Sequence, residues 1–386
     1  MVISARALNR ATLARQLLLG REPLDVEEAL RRVVALQAQQ PASPYIALWN
    51  RLRAFDPAQL DAALADRRIV KATLMRLTLH AVRAEDYRSF REAMEPTLRS
   101  SRLGDARFRS SGLTAEDADA LVAALLRYAN RPRGSAELGE WFEKRLGRPL
   151  EAGAQRMLRQ YAPLWHAPTG GPWSYNTRLS YEAAGAPRPA LGNAKAPERG
   201  LRALILRYLA GFGPASIADM AQFAMVHRPR VRAAVKTLAD EAGGLEQLTG
   251  PDGTVLYDMP GALRPEEDTP APPRLMAMWD SVLLAYADRG RVIPSEYRKH
   301  VTRVNGDVLP TLLVDGRVAG VWRATDGGIE ASAFHRLPGQ VWEELAGEAR
   351  SLVAFLAGRD PRAYSRYDHW WAKGVLAAET RLLPGD

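Results

Sequence analysis

A block of three helical patterns followed by paired strand patterns recurs three times before residue 265, and strand patterns predominate after it. These two observations predict an α+β fold, with three winged helix-turn-helix units in tandem followed by a C-terminal β-barrel. The expected units are 1–110, 111–196, 197–264 and 265–386.

In the first unit, Arg6 to Leu19 reads as a helix that Arg21-Glu22-Pro23 ends. Asp25 can cap a second helix, in which Leu30, Val33 and Val34 form the buried stripe. Helical spacing carries that stripe on to Gln37, and Pro41 should end the helix just beyond. A third helix, Pro44 to Phe55, and a short fourth opened by Asp56-Pro57 follow. Between Arg68 and Arg83 the residues become β-type and alternate as a strand pair would. A helical link, Ala84 to Arg102, leads to the second unit. There Thr114 caps a helix to about Asn130, another helix runs from Ser135 to Leu146, and a third places Ala154, Met157, Leu158 and Tyr161 inward. Pro163 to Asn176 resembles a hairpin wing around Trp165 and Trp173. Residues 183–198, rich in Ala, Pro and Gly, read as a linker.

The third unit starts with a helix from Leu201 to Ala210 and a second helix capped by Ser216. A third, Pro229 to Ala239, buries Val231, Val235 and Leu238 and sets Arg228, Arg232 and Lys236 in line on its other side. A recognition helix facing phosphates needs such a stripe, and any solvated helix face also shows one. Leu248 to Asp258 supplies the wing. Beyond the acidic, Pro-rich run 265–273, strands are expected at Leu275 to Tyr286, Val308 to Val314, Arg317 to Arg323 and Gly328 to Phe334, with Asp315-Gly316 as a hairpin turn. Leu345 to Leu356 is a packing helix. A small barrel, or a strongly curved sheet plus a helix, fits this order. Between the strands runs a basic segment carrying Arg289, Arg291, Arg298, Lys299 and Arg303 and ending in the turn-forming Asn305-Gly306. A basic loop on a rigid support can reach a nucleic-acid groove, although an exposed loop without function has the same composition.

Composition bounds the chemistry. The chain has no cysteine, which excludes disulfides, thiolate metal sites, iron–sulfur clusters and cysteine nucleophiles. Its six histidines form no ligand-spaced pair, which argues against a metal enzyme. No apolar run approaches a membrane span, and the first residues lack a signal-peptide core, so a cytoplasmic monomer without metal or cofactor is expected. A net charge of +9 and a pI near 9.9 favour a polyanionic partner, though an arginine-rich composition gives the same figures unaided.

The candidate chemical groups are Gln37 and Gln39. An inward-facing carboxamide cannot go unpaired in an apolar core, so Gln37 needs a protein partner, a water or a ligand. On an ideal helix Gln39 would face nearly the opposite way; in the extended backbone after a helix end, residues two apart point the same way and both amides could converge. A core glutamine beside a surface glutamine satisfies the same facts.

Several separated segments, taken together and in order, carry a likeness to a known family. They are Leu36-Gln-Ala-Gln39, Pro44-Tyr45-x-Ala-Leu-Trp49-x-Arg-Leu52, Met75-Arg-Leu-Thr-Leu-His80, the Tyr208 to Pro214 block and Val308 to Gly320. The chain thus resembles the AlkZ/YcaQ family of winged-helix DNA glycosylases along essentially its whole length. The resemblance implies three winged-helix motifs forming a concave DNA-binding face, a barrel hairpin near the minor groove, and hydrolysis of the N-glycosidic bond of bulky N-alkylated purines, including interstrand crosslinks. The family's catalytic pattern is Gln-x-Gln in one branch and Gln-x-Asp in the other. Gln37-Ala38-Gln39 matches the first, which includes self-resistance enzymes against azinomycin-type alkylating antibiotics. Double-stranded DNA with alkylated purines or crosslinks is then the expected partner, and a monofunctional enzyme is expected because no lysine nucleophile stands out. A non-enzymatic winged-helix regulator, or an RNA-binding or scaffold protein, would account for the basic charge but leave the glutamine pair unused.

Overall fold

The computed structural model describes residues 2–185, 193, 195–241 and 243–384. Three successive units share one local topology. The first has helices Ala5–Arg15, Val26–Val33, Ala42–Arg51 and Pro57–Ala65, with strands β1 (Leu36–Gln37), β2 (Ile69–Thr73) and β3 (Leu79–Arg83). The long helix Ala84–Leu103 leads to the second, which has helices Ala115–Tyr128, Ser135–Leu146 and Ala152–Tyr161 and strands β4 (Arg133–Gly134), β5 (Leu164–His166) and β6 (Ser180–Ala183). The third has helices Ala196–Phe212, Ile217–Ala224 and Arg228–Asp240 and strands β7 (Glu246–Thr249) and β8 (Val255–Asp258).

In each unit a short first strand pairs with the last one. The orders are β1-β3-β2, β4-β6-β5, and Ala215 bridged to Tyr257 of β8, which pairs with β7. The first two sets fuse through a single antiparallel bridge, Lys71 to His166, into one six-stranded sheet of order β1-β3-β2-β5-β6-β4. Thr114 and Ser216 close full capping boxes with Asp117 and Asp219, which is why those helices start where the sequence predicts. The third helix of the second unit buries Ala154, Met157, Leu158 and Tyr161, the four residues expected to face inward.

Two local expectations are corrected. The glutamine helix ends at Val33, not at Pro41: Val34 turns the chain at φ +73, and pairing with β3 claims Leu36 and Gln37 as a strand. Pro41 instead caps the next helix. The second wing pairs 164–166 with 180–183, so Trp173 lies in the connecting loop, where its ring packs 5.1 Å from Tyr45 of the first unit. Of the expected linker, 183–198, Ala183 ends β6 and 196–198 open helix Ala196–Phe212, while 186–192 and 194 lie outside the described residues.

The C-terminal segment forms an antiparallel sheet from β9 (Arg274–Leu275), β10 (Thr311–Val314), β11 (Arg317–Thr325), β12 (Gly328–Ala333) and β13 (Glu379–Leu383), in the order β13-β12-β11-β10-β9. Asp315 and Gly316, both at positive φ, make the hairpin turn expected of them. The sheet does not close into the expected barrel among the described residues: β9 is two residues long and no pairing joins it to β13. Helix Gly339–Ala357 covers the sheet instead, burying Trp342, Leu345, Ala349, Leu352 and Leu356. The strand expected over Leu275 to Tyr286 stops after Leu275. Asp280 turns the chain there by accepting from Val282 N.

The C-terminal sheet and the first unit share a core in which Leu30, Ile46 and Trp49 belong to the same cluster as Trp322 and Leu345, whereas the second unit has a core of its own. Arg51 and Asp280 cross the shared core as a fully buried bidentate pair, at 2.7 and 2.8 Å. Such a pair adds little net stability over an apolar contact, but losing one partner costs about 3–5 kcal/mol because the other charge is left alone.

Candidate active site

Strand pairing, not a helix, presents Gln37, and Gln39 follows it in a bend. Gln37 lies opposite His80 on β3, and Ala38 N bonds to Leu79 O, so the ladder runs on to the root of Gln39. β1 stops at Gln37 and Gln39 lies in the bend that follows, so the strand fixes the direction of Gln37 and not that of Gln39. Gln37 is 4% exposed, whereas Gln39 is exposed and its amide makes no hydrogen bond to the described residues.

The buried carboxamide has a specific partner. The turn between β2 and β3, Met75–Leu77, holds Arg76 at φ +52, and its Nη2 donates to Gln37 Oε1 at 2.7 Å. The same nitrogen approaches His80 Nε2 at 3.2 Å, while His80 Nδ1 lies 3.1 Å from Thr78 O. A carbonyl can only accept, so Nδ1 carries the histidine proton and Nε2 accepts from Arg76. Burial, then the Arg76 charge, holds the His80 pKa well below the usual histidine range. His80 is therefore neutral at physiological pH and has no proton to give. Burial, with the Arg289 charge second, pulls the Arg76 guanidinium down to about 10, leaving it a cation at neutral pH. Phe223 of the third unit lies 5.3 Å from that guanidinium. Among the described residues no carboxylate bonds to Gln37, Arg76 or His80.

Sequence reasoning missed Arg76 and His80. The available signal was a lone arginine between Met75 and Leu77 in a run otherwise apolar enough to be a strand; the turn at positive φ is what directs it inward.

The predicted basic residues are distributed over several elements. Arg289 donates from Nη1 to Thr302 Oγ1 at 3.1 Å, and its charge is the second cause of the lowered Arg76 pKa. Arg298 and Lys299 are exposed on the short helix Arg298–Val301. Arg303 begins the turn of a hairpin closed by the Thr302–Val308 bridge, and its guanidinium lies 4.9 Å from the ring of Trp370. Asn305 serves that turn, bonding to Asp307 through its side chain in both directions, and Gly306 takes φ +88. Trp279 Nε1 anchors the tip through Gly306 O at 3.0 Å. Arg291 is engaged elsewhere: it donates to Pro214 O at 2.9 Å, covers the Tyr286 ring at 4.1 Å and lines a pocket of about 750 Å³ to which none of Gln37, Gln39 and Arg76 contributes. Arg228, Arg232 and Lys236 form the expected exposed stripe on helix Arg228–Asp240, free of ion pairs among the described residues.

One lysine has an unusual environment. Burial pulls Lys71 on β2 down to about 8, a range suited to Schiff-base chemistry. Its register partner on β3 is Ala81, which also pairs with Leu36, whereas Gln37 pairs with His80. Cross-strand partners share a face, so Lys71 points away from the glutamine side of the sheet. Among the described residues no group of three His, Asp or Glu side chains could hold a metal, and no helix is long and apolar enough to cross a membrane.

This fold, together with a glutamine pair flanked by arginines, corresponds to a known class of repair enzyme. A model of the AlkZ-like DNA glycosylases matches residues 30–355, and the chain belongs to that family, whose members act on the N-glycosidic bonds of DNA. Among known proteins, an interstrand DNA cross-link repair glycosylase of Streptomyces sahachiroi is 26% identical over 353 residues, covering 86% of this chain and 92% of that one. The solved structure of the Streptomyces sahachiroi DNA glycosylase AlkZ has the same fold, with a TM-score of 0.76 over 92% of this chain and 96% of that chain at 22% identity.

Proposed function

We propose that this chain is a monofunctional, monomeric glycosylase that hydrolyses the N-glycosidic bond of cationic N-alkylpurines such as N7-alkylguanine, including bulky adducts and azinomycin-type interstrand crosslinks. It works on cytoplasmic, nucleoid DNA and needs no metal or cofactor. The three units are its winged helices and together form the DNA-binding face. Gln37 and Gln39 are the catalytic pair, and Arg228, Arg232, Lys236, Arg289, Arg298, Lys299 and Arg303 meet the backbone.

The observation that carries this reading is that the Gln37 side chain bonds, among the described residues, to the Arg76 guanidinium and to no carboxyl or imidazole, and that the His80 imidazole beside that guanidinium is neutral. A neutral base must be protonated, or leave as an anion that the enzyme stabilises. An N7- or N3-alkylpurine already carries its positive charge, so only two tasks remain: holding water against C1′ and steadying the charge that moves onto the sugar. With its carbonyl committed to Arg76, Gln37 has its amide protons left to donate to a sugar or phosphate oxygen. Gln39 is unencumbered, so its carbonyl orients the water. Lys71, facing the other side of the sheet, supports hydrolysis without a covalent lyase step. The resemblance to a protein named for cross-link repair supports crosslinks as substrates.

The test is release of 7-methylguanine from methylated duplex. Wild type should release it and leave uracil and unmodified guanine in place. Gln37→Ala and Gln39→Ala should each lose on the order of a hundredfold in single-turnover rate while binding abasic-analogue duplex normally. Covalent trapping by borohydride would refute hydrolysis without a lyase step. A duplex with one defined crosslink, compared with the matching monoadduct, tests the substrate range.

A further inference from the structure

The segment from Ser365 to Lys373 bridges the Thr302–Val308 hairpin and the chain just after Gln39. Tyr367 Oη accepts from Gln40 Nε2 at 3.0 Å, one residue beyond the exposed Gln39. The Tyr367 ring meets Trp279 edge-on at 5.6 Å, and Trp279 is the residue that anchors Gly306. Trp370 Nε1 donates to Asp307 at 2.9 Å, at the foot of the same hairpin. Two exposed cations sit on this frame. The Arg366 guanidinium lies 5.2 Å from the centre of the Tyr367 ring, and the Lys373 ammonium lies 4.9 Å from that of Trp370. Neither forms an ion pair among the described residues, because the neighbouring carboxylates are engaged elsewhere: Asp368 by Arg362, and Asp307 by Trp370 and Asn305. A ring restrains a long side chain without cancelling its charge, so both cations are held yet still open to an anion.

We propose that Arg366 and Lys373 form a contact for the DNA backbone, binding phosphates of the strand that passes between Gln39 and the hairpin tip. The class of ligand follows from the placement. The two cations rest on different rings and both face solvent, which suits successive phosphodiesters of one chain better than a single small anion. The contact itself requires only that the chain binds DNA; its position beside the lesion rests on the glycosylase reading above, in which Gln39 faces the damaged nucleotide. Phosphates are common to all DNA, so the contact fixes register along the strand and adds no sequence preference.

The test uses full-length protein and a duplex bearing a tetrahydrofuran abasic analogue, with dissociation constants measured as a function of salt. Arg366→Gln and Lys373→Gln should each weaken binding on the order of fivefold and lower the salt slope by roughly 0.9, and the double variant should lower it by roughly 1.8. Arg350→Gln, which removes an exposed charge from helix Gly339–Ala357, should leave the slope unchanged. Melting temperatures should not move, because both side chains are exposed. Uncharged methylphosphonate, placed at one phosphate at a time over three positions on each side of the analogue, should then reveal a position where wild type weakens and the matching variant weakens little further. If Arg366→Gln and Lys373→Gln keep the wild-type slope, or Arg350→Gln lowers it equally, the contact is wrong. A lowered slope without a coupled phosphate in that window overturns the placement beside Gln39. Should wild type bind duplex but release no 7-methylguanine, the glycosylase reading fails while the slopes still decide the contact.

Discussion

A carboxamide can hold a water molecule but cannot take its proton near neutrality, so in the function proposed above Gln37 and Gln39 would confine the reaction to bonds already weakened by a charge on the base. The residues around them reinforce that limit. His80 is an imidazole bonded to Arg76, and its protonated nitrogen is spent on Thr78 O while Arg76 occupies the other. The sign of the pH effect follows. His80 stays neutral down to well below its usual range, Arg76 stays charged up to about 10, and glutamine does not titrate. Base release from 7-methylguanine duplex should therefore be flat, within about twofold, between pH 6 and 8.5. A bell-shaped profile in single-turnover measurements would show that a general acid or base does operate. His80→Gln, which can still accept from Arg76, should leave the profile flat.

At the scale of elements, the outcome turned on what local pattern can and cannot decide. The capped helices starting at Ala115 and Ile217 were legible because Thr114 and Ser216 have their reciprocal partners three residues on. The glutamine segment was misread as helix because its apolar spacing is equally compatible with a helix that stops early. Pairing with β3, more than forty residues away in sequence, is what makes 36–37 a strand, and no window over 26–41 contains that information. The pair was legible as a candidate through the inward spacing of Gln37 and the resemblance to a family with a Gln-x-Gln pattern, while the burial of Gln37 against Arg76 depends on this misread strand. Arg76 was illegible for a related reason: its inward direction is set by a turn at positive φ where the residues read as continuous alternation. The Asn305-Gly306 turn was legible, and its most telling neighbour is Val304, whose side chain is wholly exposed at the tip, next to Arg303 on Trp370. An apolar residue carried on an anchored tip beside a cation has the form of a wedge entering a groove. Val304→Asp should leave the melting temperature unchanged and weaken binding to abasic duplex about tenfold, since like charge meets the phosphates. An unchanged dissociation constant would exclude the tip from the interface.

At the scale of the molecule, the least comfortable point is the seam between the first two units. One bridge joins their sheets, and its partners are both buried bases, Lys71 and His166. The Lys71 ammonium lies 4.2 Å from the Tyr175 ring, and burial lowers it to about 8; burial and then the charges of Lys71 and Arg159 drive His166 down to about 3. Both shifts oppose protonation in the fold, so their effects on stability have the same sign. Between pH 8 and 10.5 the unfolded chain binds a proton at Lys71 that the fold refuses, and between about 3 and 6.5 it does so at His166. Stability should thus fall as pH drops through each window, by up to about 1.4 kcal/mol per pH unit per group. At pH 7 Lys71 is charged and uncomfortable, whereas His166 is neutral and at ease. Lys71→Met should then be more stable than wild type at pH 7, by about 1–3 kcal/mol, with the gap closing as pH rises toward 10.5. Because the lysine charge is one cause of the His166 shift, the same variant should raise the folded-state His166 pKa, so that its loss of stability on acidification levels off at a higher pH than in wild type. Urea unfolding at pH 3.5, 7 and 10 measures both effects. A gap independent of pH would mean that Lys71 contributes through packing alone, and that charge at the seam does not govern how firmly the two units are joined.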